Sequence, residues 1–226
     1  MSLAAIIFDV DGTLAETEEL HRAAFNQAFH RAGLDWHWDR ALYARLLTTT
    51  GGKERLRRYR DETGQMFVDD KALVLLHRAK TEAYARLMAA GKLALRPGVA
   101  EVMAAARARG LKLALATTTT PDNVAALTNA VWRKAPGAVF DAVAAGDEVA
   151  AKKPAPDIYL LALRRLGMTA DQAIAIEDSR NGLRAAQAAG IPCIVTPSTY
   201  TGDEDFTGAL DVLPDLTGLV LDRILA

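Results

Sequence analysis

Short apolar runs alternate with amphipathic stretches along most of this chain. The run Ala4-Ala5-Ile6-Ile7-Phe8 is too short for a helix and rich in β-branched residues, so it predicts a buried strand. It ends at the polar turn Asp9-Val10-Asp11-Gly12-Thr13. From about Glu16 to Gly91 the pattern is helical and no strand interrupts it. Helices are predicted over residues 18–32, with Leu20, Ala24, Phe25, Ala28 and Phe29 at helical spacing, and over residues 38–47. Another starts at Gly51-Gly52 and runs through Tyr59, and a fourth covers residues 69–90 with Gly91 as its C-cap.

After Arg96-Pro97-Gly98 strands return. A helix over 99–109 leads to a strand over 111–116 that ends in Thr117-Thr118-Thr119-Thr120, and Pro121-Asp122 opens the next helix. A strand near 139–145 precedes Lys152-Lys153-Pro154 and a helix over 156–166. A strand over 173–176 ends in Glu177-Asp178-Ser179, then a helix covers 181–189 and a strand 191–196. The tail, residues 212–225, reads as a short edge strand and a final helix. Such alternation predicts an α/β fold, a doubly wound and mainly parallel sheet with helices on both faces. The helical block is an insertion. The expected division is a core of residues 1–15 and 93–226 and a helical cap of residues 16–92.

Composition narrows the function. The 226 residues carry a formal net charge of −1, so no bulk positive field favours nucleic acid or an anionic membrane. The lone Cys193, in an apolar stretch, excludes an intramolecular disulfide and thiolate zinc sites and reads as a buried hydrophobe. No run approaches the ~18 apolar residues of a membrane span, and no leader-like segment opens the chain, so a soluble cytoplasmic protein is expected. Core and cap would bury each other, so a monomer is expected. The acidic run Asp203-Glu204-Asp205 reads as a solvated loop.

The conspicuous polar clusters share one placement. Asp9 and Asp11, Thr117, Lys152 and Lys153, and Glu177 and Asp178 each follow a predicted strand, at the sheet edge where open parallel sheets bind ligands. Asp9 and Asp11, two apart, project to one side of an extended chain. One can attack phosphorus while the other serves the leaving oxygen. A third carboxylate from another strand lets a hard divalent cation bridge protein and phosphate, and oxygen ligands favour magnesium. Thr117 can donate to a phosphoryl oxygen and Lys153 can supply positive charge. Each cluster alone has a plainer explanation: a turn, a helix cap, a solvated loop or an N-cap. Their joint occurrence at successive strand ends points to phosphoryl transfer.

With these residues the sequence resembles the haloacid-dehalogenase-like (HAD) phosphatases over essentially its whole length. Asp9-Val10-Asp11-Gly12-Thr13-Leu14 looks like their first motif, Thr117 the second, Lys153 the third and Glu177-Asp178 the fourth. The resemblance implies a HAD-like core, Asp9 as a nucleophile forming an aspartyl phosphate, and Asp11 as proton donor and acceptor. Thr117, Thr118 and Lys153 would hold the phosphoryl group. Mg2+ would be held by Asp9, the Asp11 carbonyl and Asp178, with Glu177 in support. Closer still, Thr17, Glu18 and His21, the segment Thr48-Thr49-Thr50-Gly51-Gly52-Lys53-Glu54-Arg55, and the run from Lys153 to Asp157 look like the CbbY group. That group implies removal of one phosphate from xylulose 1,5-bisphosphate, a misfire product that inhibits Rubisco.

A bisphosphate needs a second anion site on the cap. Gly51-Gly52 at a helix start would expose N–H groups, with Lys53, Arg55 and Arg57 adding charge. The same segment also fits an ordinary basic surface helix, and His21 fits a satisfied helix histidine. Thr17, Glu18 and His21 share one helix face, compatible with one ligand. The nearest alternative is a β-phosphoglucomutase-like enzyme, against which Thr50 counts because a lysine would be expected there. A non-enzymatic phospho-acceptor module would be shorter and would lack the cap.

Overall fold

A computed structural model describes residues 3–91 and 93–218. The chain divides into two compact units, Met1–Glu16 with Leu93–Ala226, and Thr17–Lys92. Among the described residues the first unit has six strands: β1 (Ala5–Phe8), β2 (Lys112–Thr117), β3 (Ala142–Ala145), β4 (Ala173–Glu177), β5 (Cys193–Val195) and β6 (Asp211–Val212). They form one sheet in the order β3-β2-β1-β4-β5-β6, every neighbouring pair parallel. The strands are short and apolar because most of the sheet is covered on both faces.

In the register Ile6↔Leu113 and Ile7↔Ala114, odd and even residues of β1 turn to opposite faces. Ala5 and Ile7 join Ala114, Ala116, Ala142 and Ala144 in a core packed against Ile158, Tyr159, Ala162 and Leu163, and against Leu183, Ala185 and Ala186. Those belong to helices α7 (Asp157–Leu166) and α8 (Arg180–Ala188). Alanines on this face let both helices lie close to the strands. Ile6, Phe8, Leu113 and Leu115 line the opposite face and are buried. Helices α5 (Val99–Ala108) and α6 (Pro121–Trp132) complete the described helices of this unit.

The second unit is helical: α1 (Glu18–Arg31), α2 (Arg40–Leu47), α3 (Gly52–Thr63) and α4 (Asp70–Ala90). Phe25, Phe29 and Trp38 are its centre, with ring centroids 4.6–6.0 Å apart. No described helix is long and apolar enough to cross a membrane.

Several borders differ from the sequence reading. The second helix starts at Arg40 rather than at 38, because the Asp39 side chain accepts from Leu42 N at 2.8 Å and caps it, freeing Trp38 for the aromatic core. The strand expected near 139–145 starts at Ala142, since Pro136–Ala138 forms a 3-10 turn. The strand expected over 191–196 shortens to Cys193–Val195. The loop 203–205 is not simply solvated. Glu204 Oε2 accepts from Arg180 N at 2.6 Å and seats an anion on the N-terminus of α8. The final helix expected in the tail lies outside the described residues.

Candidate active site

In an open parallel sheet the chain order reverses at one strand, and ligands bind beyond its carboxyl end. Here that strand is β1, with β2 on one side and β4 on the other. Asp9 extends it by one residue, its N–H donating to Ile176 O at 3.0 Å. The chain then turns tightly: Thr13 N and Leu14 N both donate to Val10 O, and Gly12 N to Ala15 O. Gly12 adopts φ +85° and packs against Asp178, whose carboxylate a Cβ at position 12 would overlap. Glycine is needed there for both conformation and space.

Lys153 joins two strand ends. Its buried ammonium donates to Asp9 Oδ1 at 2.7 Å and to Glu177 Oε1 at 2.5 Å. The Tyr159 hydroxyl donates to the same Glu177 oxygen at 2.5 Å. Glu177 is fully buried, and its other oxygen has no hydrogen-bond partner. A Cβ at Gly182 would overlap this carboxylate, so the glycine in the first turn of α8 makes its room. Burial pushes the Asp9 carboxyl up to about 7, Lys153 opposes that rise, and Glu177 and Asp11 add to it. Burial works against the charge of Lys153, but Asp9 and Glu177 overcome it and hold its proton more tightly than usual. Burial and then Glu177 push the Tyr159 hydroxyl well above its ordinary value.

Ligand atoms of Asp9, Glu177 and Asp178 lie within 4.8 Å of one another, and all three residues are buried. One ammonium does not neutralise three carboxylates out of water, and Glu177 retains an unsatisfied oxygen. That imbalance and the all-oxygen donor set fit a hard divalent cation. The backbone carbonyl of Asp178 is held in turn by Thr201 Oγ1 at 2.7 Å, which itself accepts from Ser198 N at 2.8 Å.

The clusters divide between chemistry and structure. Thr117 closes β2 and is buried, its hydroxyl oxygen accepting from Thr119 N at 3.2 Å and keeping its proton to donate. Thr118 is half-buried beside it. Thr119 and Thr120 serve α6: Thr119 Oγ1 accepts from Asn123 Nδ2 at 2.8 Å and Thr120 caps the helix. Lys152 pairs with Asp147 at 2.7 Å, so only Lys153 of the two lysines reaches Asp9. Ser179 caps α8. Cys193 is buried and free, its thiol pushed up by burial and by Glu177, as a structural thiol should be.

The second unit gathers some of its expected residues and separates others. Glu18 Oε2 accepts from Tyr43 OH at 2.6 Å, and that hydroxyl accepts from Arg55 Nη1 at 3.0 Å. The Arg55 guanidinium lies 5.1 Å from the Tyr43 ring centre. His21 stacks on Tyr84 at 4.0 Å, and its Nδ1 is 2.6 Å from the buried Lys80 Nζ. Thr17 is buried just before α1. Gly51 opens α3 at φ +95°, and a Cβ at Gly52 would press on His77. Lys53 and Arg57 are one turn apart on α3, but Arg57 is about 200° around the helix from Arg55 and lies 3.9 Å from Asp70 at the start of α4. Sequence reasoning missed Tyr43, Lys80, Tyr159 and Gly182. Each reads locally as a core or helix position; a partner distant in sequence reveals Tyr43, Lys80 and Tyr159, and the space taken by the Glu177 carboxylate reveals Gly182.

Comparison with known proteins agrees with this geometry. The family model described as haloacid dehalogenase-like hydrolase matches residues 3–190. Protein CbbY of Cereibacter sphaeroides is 54% identical over 223 residues, covering 96% of this chain and 95% of that protein. Protein CbbY of Rhodobacter capsulatus is 52% identical, covering 99% and 98%. A crystal structure of an aspartate-to-asparagine mutant of CbbY from Rhodobacter sphaeroides, in complex with xylulose-(1,5)bisphosphate, superposes with a TM-score of 0.90 at 51% identity and covers 96% of each chain. The motif order, the strand-end carboxylates and the full-length similarity converge on one conclusion: this chain belongs to the haloacid dehalogenase-like hydrolases and, within them, to the CbbY proteins.

Proposed function

We propose that this chain is a magnesium-dependent phosphatase that converts xylulose 1,5-bisphosphate to xylulose 5-phosphate through a phosphorylated Asp9. The observation that carries the reading is the buried contact of Asp9 with Lys153 and Glu177, beside Asp178, at the switch point of the sheet. The bisphosphate is suggested by the ligand of the CbbY complex at 51% identity.

In this reading an Asp9 oxygen attacks phosphorus and the ester P–O bond breaks. Asp11, as the acid, gives its proton to the departing sugar oxygen. Asp11 then takes a proton from water as that water attacks the aspartyl phosphate, which releases inorganic phosphate and restores Asp9. Lys153, Thr117 and Thr118 hold the phosphoryl oxygens, and Glu177 keeps Lys153 in place with help from Tyr159. Asp9, Asp178 and the Asp11 carbonyl would hold Mg2+, with Glu177 in support; the ion supplies positive charge to the phosphoryl oxygens. The other phosphate is assigned to the first turn of α3, with Gly51 and Gly52 N–H groups, Lys53, Arg55 and, further round the helix, Arg57. Thr17, Glu18 and His21 are assigned to the sugar.

Phosphate release is the direct test. With Mg2+, xylulose 1,5-bisphosphate should be cleaved in preference to ribulose 1,5-bisphosphate, fructose 1,6-bisphosphate, β-glucose 1-phosphate and an aryl phosphate. Equal, slow release from all five would remove the sugar assignment, and transfer to a sugar without free phosphate would make the chain a mutase. Asp9→Asn should abolish turnover with the melting temperature retained, because the amide cannot attack phosphorus.

A further inference from the structure

Arg96 is the residue on which three loops around the candidate site converge. One guanidinium nitrogen donates to the Gly12 carbonyl, to Thr196 O at 2.7 Å and to Thr196 Oγ1 at 3.2 Å. The other donates to Pro197 O at 2.8 Å and Pro214 O at 3.4 Å. Its Nε is 3.4 Å from Glu16, and its backbone N–H donates to Leu14 O at 2.8 Å. The side chain is 9% exposed.

Four backbone carbonyls therefore point at one spot, and only a cation with a planar fork of donors satisfies them together. What they hold is the seat of the carboxylates. Gly12, beneath Arg96, is the residue against which Asp178 packs. Thr196, the next partner, donates its N–H to Glu177 O at 2.7 Å. Gly12 also packs against the side chain of Ser198, which follows Pro197. A shift of the Gly12 peptide would move the Asp11 carbonyl next to it and loosen Asp178 at once.

We propose that Arg96 is a positioning residue for the cation site, acting through Gly12 on Asp178 and through Thr196 on Glu177. It touches neither substrate nor ion. The inference rests on the magnesium reading above and adds a residue to it.

The test is Mg2+ binding by calorimetry on the substrate-free protein, with wild type, Arg96→Lys and Arg96→Met. Outer-shell partners of a metal site are typically worth about 10–100-fold in affinity. The dissociation constant should rise about tenfold or more in Arg96→Met and less in Arg96→Lys, which keeps a cation but loses the fork. Raising Mg2+ to saturation should return kcat most of the way to wild type, with KM for substrate little changed. A purely structural role would lower the melting temperature and leave the Mg2+ constant alone. Arg96→Lys keeps the test decisive if Arg96→Met does not fold. Mg2+ constants within twofold of wild type would overturn the role of Arg96 alone. A wild type that binds no Mg2+ would overturn the metal reading and this role with it.

Discussion

At the scale of single residues, the site is defined by a buried charge imbalance. Asp9, ordinarily near 3.8, is raised to about 7 chiefly by burial. The sign follows from linkage: the folded state holds this proton more tightly than the unfolded state. Asp9 therefore costs stability increasingly as pH rises from about 4 to about 7. A cation needs the carboxylate, so below about 7 proton and Mg2+ compete for it. Mg2+ affinity should fall about tenfold between pH 8 and pH 6, and binding at pH 6.5 should release protons, read by calorimetry in buffers of different ionisation enthalpy. Affinity flat between pH 6 and pH 8 would show that Asp9 is already ionised. Gly182 gives a second prediction. Gly182→Ala would drive a Cβ into the Glu177 carboxylate and disturb its grip on Lys153. Turnover should fall at least tenfold, more than for an alanine at exposed Gly137, where a Cβ meets nothing.

Legibility at this scale followed sequence distance. Asp9, Lys153 and Asp178 were readable because each follows a strand, and parallel strands bring their carboxyl ends together. Tyr159 was not, because it lies on α7 and meets Glu177 only through the packing of that helix on the sheet. Arg96 was not, because the carbonyls its guanidinium binds lie 84 to 118 positions away and carry no residue signature. Arg55 and Arg57 looked equivalent as charges, but the helix separates them.

At the scale of elements, α8 matters most, because it starts directly after Glu177 and Asp178. Its N-terminus is held twice: Ser179 Oγ accepts from Gly182 N at 3.3 Å, and Glu204 accepts from Arg180 N. Removing such a cap costs about 1 kcal/mol, a melting shift of roughly 2–4 °C at this chain length. Ser179→Ala should show that loss by thermal denaturation, with Mg2+ affinity nearly unchanged, since Glu204 still anchors the first turn. A larger shift accompanied by weaker Mg2+ binding would mean that the cap also positions Asp178. The sequence pattern identified every described α-helix and strand but none of the short 3-10 turns, and its other errors lie at the ends. Asp39 and Pro136 decide those ends by capping and by a 3-10 turn, both local features that hydrophobic periodicity does not register.

At the scale of the whole molecule, one unit interrupts the other. Among the described residues, the core cluster of the sheet draws on positions before 17 and after 92. The chain leaves and returns at neighbouring points, since Arg96 N donates to Leu14 O and the Arg96 side chain pairs with Glu16. A short Gly-Ser linker can therefore replace residues 17–92 without stretching the strands. The shortened protein should fold cooperatively and bind Mg2+, because the Asp9, Lys153, Glu177 and Asp178 cluster lies in the retained unit. It should still hydrolyse an aryl phosphate slowly. It should lose any preference for a bisphosphate over a monophosphate, because Gly51, Gly52, Lys53 and Arg55 go with the excised unit. A shortened protein that kept the preference would place the second phosphate on the sheet-bearing unit. One that lost Mg2+ binding while remaining folded would show that the helical insertion helps to shape the cation site.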